Sequence, residues 1–574
     1  MRFLSLSIVS ALLFSSQLMG GVQPRPGAKV MPVGPPEALP PEKGPALIRG
    51  VSPGVYAIGP GDSIGQTVSD YATNRSACHN IINFGDNSLS IGRMTAETSD
   101  ATDRGTYYSY SADGGASWTP LTWIEGTRQG WGNIDQFPMA GGTEVSVAHT
   151  GMQVCVDAAR GANVWSCTPT GVATDLWPRL AVSDPFNVHI IAADANPPTT
   201  TWYTRSTDAG ATYDIVDQPI FTLPGYQATW DSYDIASFGT NVAVVNATEG
   251  FFNSFDTDVL LAVSTDNGTT WTDQVIYDMA GPGELPTGMT QFQADGTVAC
   301  VYDGNGDLHV VWCTFLAVGN ATNDPELFYQ IDAPLMYWSE ATGIVEIIPT
   351  VTDTSIVKPG NAFGNLVTQP DIAVDAENNI YIIYQQQISE QDTAGVYLQH
   401  IYGTASTDGG ETWSTPRDLT PGAGFDASFG SMADFVDENL HITYFSDPLG
   451  GNAVRGNHEV ISVAVMYLAV EALPLTTGIT GASDGVPSDF VLKQNFPNPF
   501  NPVTTIEYSI PQNSFVRIEI YDMLGQLVRT FVNAEQAAGS YSVRFDGSNL
   551  ADGTYFYHFS AGDFSETRKM VLLK

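Results

Sequence analysis

Short runs of alternating apolar and polar residues recur along most of the chain, separated by turns rich in Gly, Asn, Asp and Ser. Seven of them begin LSIG at Leu89, VSVA at Val145, VHII at Val188, VAVV at Val242, LHVV at Leu308, IYII at Ile380 and LHIT at Leu440. Each is short and rich in β-branched residues, so each predicts a strand. The turns ahead of several of them repeat too, as DPFN, DGNGD, DAENN and DEN. A similar strand every 40 to 75 residues or so predicts one small sheet per period, which is the pattern of a β-propeller. The runs count seven blades. Six is the alternative, because the stretch 137–170 is short. The last blade is one strand short, and a strand from Ala46 to Ile58 is expected to complete it.

The same pattern sets the domain limits. Arg2 precedes an apolar run from Phe3 to Leu18, and Gly20 and Gly21 follow, which is the layout of a signal peptide over residues 1–21. Residues 22–45 read as a Pro/Gly-rich linker, 46–473 as the propeller, and 474–488 as a second linker. The last segment, 489–574, has alternating apolar runs and is expected to be a small Ig-like β-sandwich. No other apolar stretch reaches the roughly 20 residues of a membrane span, so none is expected in the mature chain. The fold class is therefore all-β, a propeller followed by a sandwich.

Four segments share a tighter motif: SADGGASW at 111–118, STDAGATY at 206–213, STDNGTTW at 264–271 and STDGGETW at 406–413. The pattern, Ser-x-Asp-x-Gly-x-x-aromatic, resembles the Asp-box, or BNR repeat, of sialidase-like propellers. An Asp carboxylate can accept bonds from backbone N–H groups in a turn, and Gly takes conformations that other residues avoid. Asp113, Asp208, Asp266 and Asp408 are therefore read as structural.

Composition narrows the function. Acids outnumber bases 62 to 22, for a net charge of −40. Nucleic-acid binding, which needs a basic footprint, is excluded, while divalent cations and basic partners are favoured. Five cysteines leave one over if the others pair. Cys155 and Cys167, and Cys300 and Cys313, each flank a turn at similar spacing. Two hairpin disulfides with a free Cys78 are expected, five buried thiols being the alternative. His189, His309 and His441 fall at equivalent points of the second strands, which predicts a repeated packing role and no metal site. DGNGD at 303–307 is read as a hairpin turn. No cofactor is required; calcium is possible.

Long loops place any site on the face opposite the short DxxN turns, at the mouth of the central channel. Aromatic and acidic residues gather there in sequence. The ligand-binding candidates are Trp131, Asp135, Trp177, Arg179, Trp230, Asp231, Tyr233, Asp371 and Asp426. Aromatic faces stack on sugar rings and carboxylates bind hydroxyls, which suits a glycan; wedges between blades are the alternative reading of each Trp. Sialidases of this fold are expected to carry three arginines, a Tyr nucleophile and a Phe/Tyr-Arg-Ile-Pro motif. The corresponding region here reads RSACHNIINF over 75–84, without that motif. Arg75, Arg179 and Tyr444 are the residues a catalytic role would draw on. A binding protein for extracellular glycans, polymers or proteins is the preferred reading, with a sialidase-like glycoside hydrolase as the alternative.

The C-terminal segment runs FVLKQNFPNPFNPVTTIEYSIP (490–511), VRIEIYDMLGQLVRTF (516–531), GSYSVRFDG (539–547), GTYFYHFSAG (553–562) and TRKMVLLK (567–574). It closely resembles the C-terminal sorting domain of the type IX secretion system. The resemblance implies passage through the periplasm, the type IX machinery as a partner, and release or attachment at the outer-membrane cell surface. Deleting residues from Asp489 onward is expected to trap the chain in the periplasm. Cell fractionation and immunoblotting check this, and continued secretion of the truncated chain would refute it.

Overall fold

The computed structural model describes residues 59–572 apart from short stretches, the longest being 224–230, 249–257, 279–289, 319–327, 349–366, 452–459 and 476–489. The expected signal peptide, the linker 22–45, nearly all of the linker 474–488, and the strand expected at 46–58 lie outside the described residues.

Among the described residues seven sheets follow one another along the chain, antiparallel except for a short parallel pair of Val374–Asp375 with Phe435–Val436. The first holds Ile81–Asn83, Leu89–Thr95, Gly105–Ser111 and Thr122–Trp123; the second Gly130–Gln136, Glu144–His149, Gln153–Asp157 and Trp165–Pro169; the third Asp175–Ser183, Asn187–Asp194, Thr201–Ser206 and Ile215–Pro219. The fourth holds Tyr233–Phe238, Asn241–Ala247, Val259–Ser264 and Thr272–Tyr277; the fifth is built on Thr290–Tyr302, Leu308–Val318, Leu335–Ser339 and Gly343–Glu346. The sixth is built on Val367–Asp375, Ile380–Gln391, Tyr397–Ser406 and Arg417–Asp418, and the seventh starts with Asp426–Met432, Asn439–Asp447 and Val463–Glu471. First strands of successive sheets pack against each other, and the first sheet meets the seventh, so the sheets close a ring. This is a β-propeller. The seven apolar runs of the sequence are the second strands.

The strand that completes the seventh sheet is Asp62–Thr67, paired antiparallel with Val463–Glu471. It lies C-terminal to the expected 46–58. Tyr444 in the second strand is fully buried, and its hydroxyl donates to the Pro60 carbonyl. The Gly59 N–H donates to Ser446 Oγ at 3.0 Å. Tyr444 therefore anchors the chain's early residues to the last sheet instead of facing the channel.

The core is a ring of interfaces between neighbouring sheets. Val245 and Leu261 of the fourth sheet meet Val298 and Trp312 of the fifth; Val311 and Tyr337 of the fifth meet Ile372 and Ile382 of the sixth. Each such side chain contributes roughly 1.5–3 kcal/mol when fully buried.

The four Ser-x-Asp-x-Gly turns all join a third strand to a fourth, and all are wired alike. In the third sheet, Ser206 Oγ donates to Asp208 Oδ1 at 2.8 Å, and Thr212 donates its N–H to Oδ1 and its hydroxyl to Oδ2. The Gly210 N–H donates to Ser206 Oγ. The same bonds recur around Asp113, Asp266 and Asp408. They hold the carboxyls below their usual range, that of Asp266 at about 2. Glycine is needed for two reasons at once. Gly268 has φ +78°, and a Cβ there would stand 1.9 Å from the Tyr203 hydroxyl of the sheet before it.

That tyrosine explains the repeated histidines. His189 Nδ1 and the Tyr203 hydroxyl lie 2.7 Å apart, and Trp271 of the fourth-sheet turn packs edge-on against Tyr203. His309 with Tyr337 and Trp413, and His441 with Tyr467 and Trp118, repeat the arrangement. Burial lowers all three histidine pKa values, that of His189 to about 3. They are neutral struts between sheets. In the DGNGD turn, Asp303 Oδ1 accepts the Asn305 and Asp307 N–H groups, closing a plain hairpin.

Cys155 and Cys167 are register partners and form a disulfide. The second expected disulfide is absent: Cys300 and Cys313 are free and buried, as is Cys78. Cys300 pairs with Val310, so Cys313 is out of register by an odd number of residues. A strand's side chains alternate between faces, and the two thiols accordingly enter different interfaces, Cys300 with Trp312 and Cys313 with Val311.

The C-terminal residues form two further sheets, one of Val491–Leu492, Val503–Ile510 and Gly539–Asp546, the other of Leu527–Gln536, Ser514–Tyr521, Gly553–Ala561 and Phe564–Leu572. Ile506, Tyr508, Ile518, Tyr557 and Phe559 lie in their shared core. Thiol labelling of the denatured, unreduced protein is expected to modify three cysteines, and reduction to raise the number to five. A single labelled thiol before reduction would restore the second bridge.

Candidate functional site: the central channel

The inner strands carry a repeated irregularity. The register slips between Gly130 and Asn133, Leu176 and Arg179, Ala294 and Val298, Thr368 and Asp371, and Ser428 and Ser431. Within these bulges Trp131, Trp177, Gln369 and Phe429 have left-handed backbones, with φ between 48° and 57°, and Asp231 ahead of the fourth inner strand does too. Bulges re-aim side chains. Here they build a collar around the axis.

The collar is filled by the chain's own residues. The described residues of the segment 68–80, between the closing strand and the first sheet, are bonded to sheet after sheet. Thr73 Oγ1 donates to Asp231 Oδ2 at 3.1 Å, the Ser76 N–H to the Asp231 carbonyl, and the Val298 N–H to Ser76 Oγ. Asn80 reaches the Gly92 and Gly132 carbonyls and Ser431. Tyr71 packs edge-on against both Trp131 and Phe429. The channel mouth expected to be open is plugged.

The sequence-chosen residues of that face belong to the plug's setting. Trp131, Trp177 and Tyr233 are no more than 3% exposed, and Arg179 and Asp231 no more than 1%. Arg179 Nη2 and Asp231 Oδ1 are 2.7 Å apart, and Trp131 Nε1 donates to Asp231 Oδ2 at 2.9 Å. Tyr233 donates to the Trp177 carbonyl. Removing one partner of a buried ion pair costs about 3–5 kcal/mol. Arg75 and Trp230 lie outside the described residues; in the third aromatic cluster it is Asp231 that takes the left-handed collar position. Asp426 sits elsewhere, at the seam of the sixth and seventh sheets.

Asp135 and Asp371 lie farther along the channel, toward the short-turn face, and there the structure adds residues that the sequence reading missed. His79 Nε2 is 2.9 Å from Asp234 Oδ1, and His79 Nδ1 is 3.8 Å from Asp434 Oδ2. Burial works against the charged imidazole, but Asp234 and Asp434 outweigh it and hold its pKa well above the ordinary value. Burial and then Asp434 push Asp135 up to about 7; burial also brings Asp371 to about 7 against the pull of His79. Asp135, Asp234 and Asp371 also lace neighbouring inner strands, accepting the Val182, Cys300 and Met432 N–H groups. The Asp434 side chain is half exposed. Phe186 in a turn, Phe238 at the end of the fourth inner strand and Phe435 just beyond the seventh are 37–43% exposed. Of these, only Phe186 lay in a turn that the sequence marked, DPFN, and it read as punctuation only.

Comparison with known proteins decides one end of the chain. Residues 494–573 match the family profile described as the secretion system C-terminal sorting domain. The C-terminal module is a type IX secretion sorting domain. The sorting domain uses its NFPNPFNP segment to fasten its last strand: Asn498 accepts the Val571 N–H and donates to the Lys569 carbonyl. Asn495 N–H donates to the Tyr557 hydroxyl. The chain is thus exported, to the cell surface or beyond. No curated protein matches the chain. Among solved structures it is similar to an ulvan lyase with a bound saccharide (12% identity, 72% of this chain and 100% of that one, TM-score 0.44). It is also similar to an α-L-arabinanase of Penicillium chrysogenum in complex with arabinobiose (16% identity, 58% and 89%, TM-score 0.31).

The channel charges set a pH dependence. Above its unfolded pKa of about 6.5, His79 still holds its proton in the folded state, so its contribution is complete below 6.5 and is lost as pH rises through the folded value. Asp135 and Asp371 act in the same direction, because carboxyls raised to about 7 stabilise below 3.8 and lose that contribution as pH rises through 7. His189 opposes them, destabilising as pH falls from 6.5 toward 3. The melting temperature is expected to fall between about pH 6 and 9, and His79→Gln to flatten that limb. Melting curves across pH check this; an unchanged slope in the variant would remove His79 from the account.

Proposed function

We propose that the chain is a secreted or cell-surface binding module for an extracellular glycan, other polymer or protein, with its ligand seated on the short-turn face of the propeller. One observation carries the reading: partly exposed Phe186, Phe238 and Phe435 share that face with the half-exposed Asp434 and the half-buried Asp135. Apolar ring faces and carboxylates are the groups that hold sugar rings by stacking and hydroxyl bonding. The resemblance of the four Asp turns to sialidase-like propellers supports a glycan among these ligands. The collar residues Trp131, Trp177, Arg179, Asp231 and Tyr233 close the opposite end in this reading and meet no ligand.

A hydrolytic reading is favoured by a different observation. Asp135 and Asp371, at about 7, keep the proton a general acid needs near neutral pH. Sialidase-type chemistry has less support. Arg93, Arg104, Arg160, Arg179 and Arg205 bond the protein's own carbonyls and carboxylates, and Tyr444 is fixed on Pro60.

Incubating the secreted protein with sialylated and neutral glycans separates the readings. Saturable binding without release of new sugar ends is expected, weakened about tenfold, equal to ~1.4 kcal/mol, by Phe435→Ala combined with Asp434→Asn. Release of sugar ends that Asp135→Asn or Asp371→Asn abolishes would make the protein a hydrolase.

A further inference from the structure

We propose that the sorting domain is read through the outer face of its four-stranded sheet, where an apolar patch around Leu527 docks onto an apolar, acid-edged surface of the type IX secretion machinery. The strands lie in the order Leu527–Gln536, Ser514–Tyr521, Gly553–Ala561 and Phe564–Leu572. Val516, Ile518 and Ile520, with Tyr557 and Phe559, enter the module's core. Their neighbours Tyr521 and Phe556 therefore turn outward, because side chains alternate along a strand. Register sets Leu527 opposite Tyr521, Tyr521 opposite Phe556, and Phe556 opposite Lys569. Opposed residues of antiparallel strands share a face, so one outward row of three large side chains and a lysine crosses all four strands.

A bulge widens the patch. Ile520 pairs with Arg529 and Tyr521 with Leu527, so the pairing skips Val528. In a regular strand one of two neighbours points into the core; a bulge re-aims side chains. Here both Leu527 and Val528 face solvent, at 52% and 37% exposure, and Met523 in the turn before them reaches 70%. Eleven large apolar residues are exposed among the described residues, and these three fall within six positions of one another. A single exposed apolar side chain needs no explanation, but a contiguous group marks an interaction surface.

The place of the patch names its occupant. It lies within residues 494–573, the part of the chain that carries the secretion address, and the propeller leaves it exposed. Charge agrees. Residues 489–574 hold 9 acids and 7 bases, against 62 and 22 in the whole chain. The module thus lacks the strong negative field of the propeller, which would hold other acidic surfaces away. Arg529 beside Val528 and Lys569 at the end of the row are both exposed. They give the patch a basic border that acidic groups of the partner would meet.

The test expresses the full chain, in cells that carry the type IX machinery, with Met523→Asp and Leu527→Asp combined. Phe515→Asp is the control. Phe515 is 45% exposed on the same face, six residues along the strand from Tyr521, or about 20 Å. The double variant is expected to reach the cell surface and medium about tenfold less, the usual effect of removing a central apolar anchor, and to build up folded in the periplasm. Phe515→Asp is expected to be secreted like the wild type. Melting curves of the periplasmic protein check folding. Should the double variant not fold, a photocrosslinking residue at position 527 replaces it. Adducts from 527, and not from 515, are then expected to contain an outer-membrane component of the machinery by mass spectrometry. Wild-type secretion of a folded double variant, an equal loss in Phe515→Asp, or 527 adducts that hold only a second copy of this chain would overturn the surface. The sorting assignment itself stands or falls separately, on truncation from Asp489.

Discussion

The propeller is held from the inside. A ring of sheets needs something at its axis, because inner strands that converge leave a space that their own side chains must fill or line. Here the space is filled by the segment 68–80, and the buried Arg179–Asp231 pair is the point at which that segment, the collar and two sheets are joined. The left-handed bulges exist to meet it. Such backbones cost energy in bulky residues; Tyr71 of the plug packs on the Trp131 and Phe429 rings, and the Trp177 ring packs on Trp131 and His149. With this end of the channel filled, the half-exposed Asp434 and the half-buried Asp135 lie toward the other end.

A second set of contacts works at the rim. At three junctions, from the third sheet to the fourth, the fifth to the sixth and the seventh to the first, a histidine–tyrosine strut, its tyrosine on the third strand, meets the Asp turn of the next sheet, so that these sheets are joined at the periphery as well as at the axis. In three of the four turns, at Gly115, Gly268 and Gly410, the glycine is dictated by the neighbouring sheet's tyrosine as much as by its own φ; at Gly210 the neighbour is Val154. In each turn the aspartate's oxygens accept bonds from the turn's own groups, and the motif recurs as a unit.

Much of the fold was legible because it repeats. The second strands announced themselves by β-branched runs, and the Asp turns by their spacing. The Cys155–Cys167 bridge was legible because its hairpin register is symmetric about the turn; Cys300 and Cys313 misled because equal spacing by eye hid an odd offset, and one residue changes the face. The site was legible only in part. Trp131, Trp177 and Asp231, grouped in the sequence as binding candidates, do lie together, but their burial could not be read, since SDYATNRSACHN has no periodicity and nothing in it signals a segment that threads a ring. His79, Asp234 and Asp434 were missed because each is unremarkable in its own strand or turn, and only closure of the ring brings them together.

The clasp by Asp62–Thr67 has a consequence for when the protein becomes itself. Gly59 and Ser446 are 387 residues apart, and the plug follows directly after the clasp. Joining such distant ends costs little more in loop entropy than joining nearer ones, because that cost grows only with the logarithm of length, but it makes folding slow to commit. During synthesis the early segment must wait, unpaired, until the seventh sheet has been made. The sorting domain is the next thing to appear. The propeller thus acquires its axis and its seal at nearly the moment its address is written, and a chain cut short within the seventh sheet loses both together.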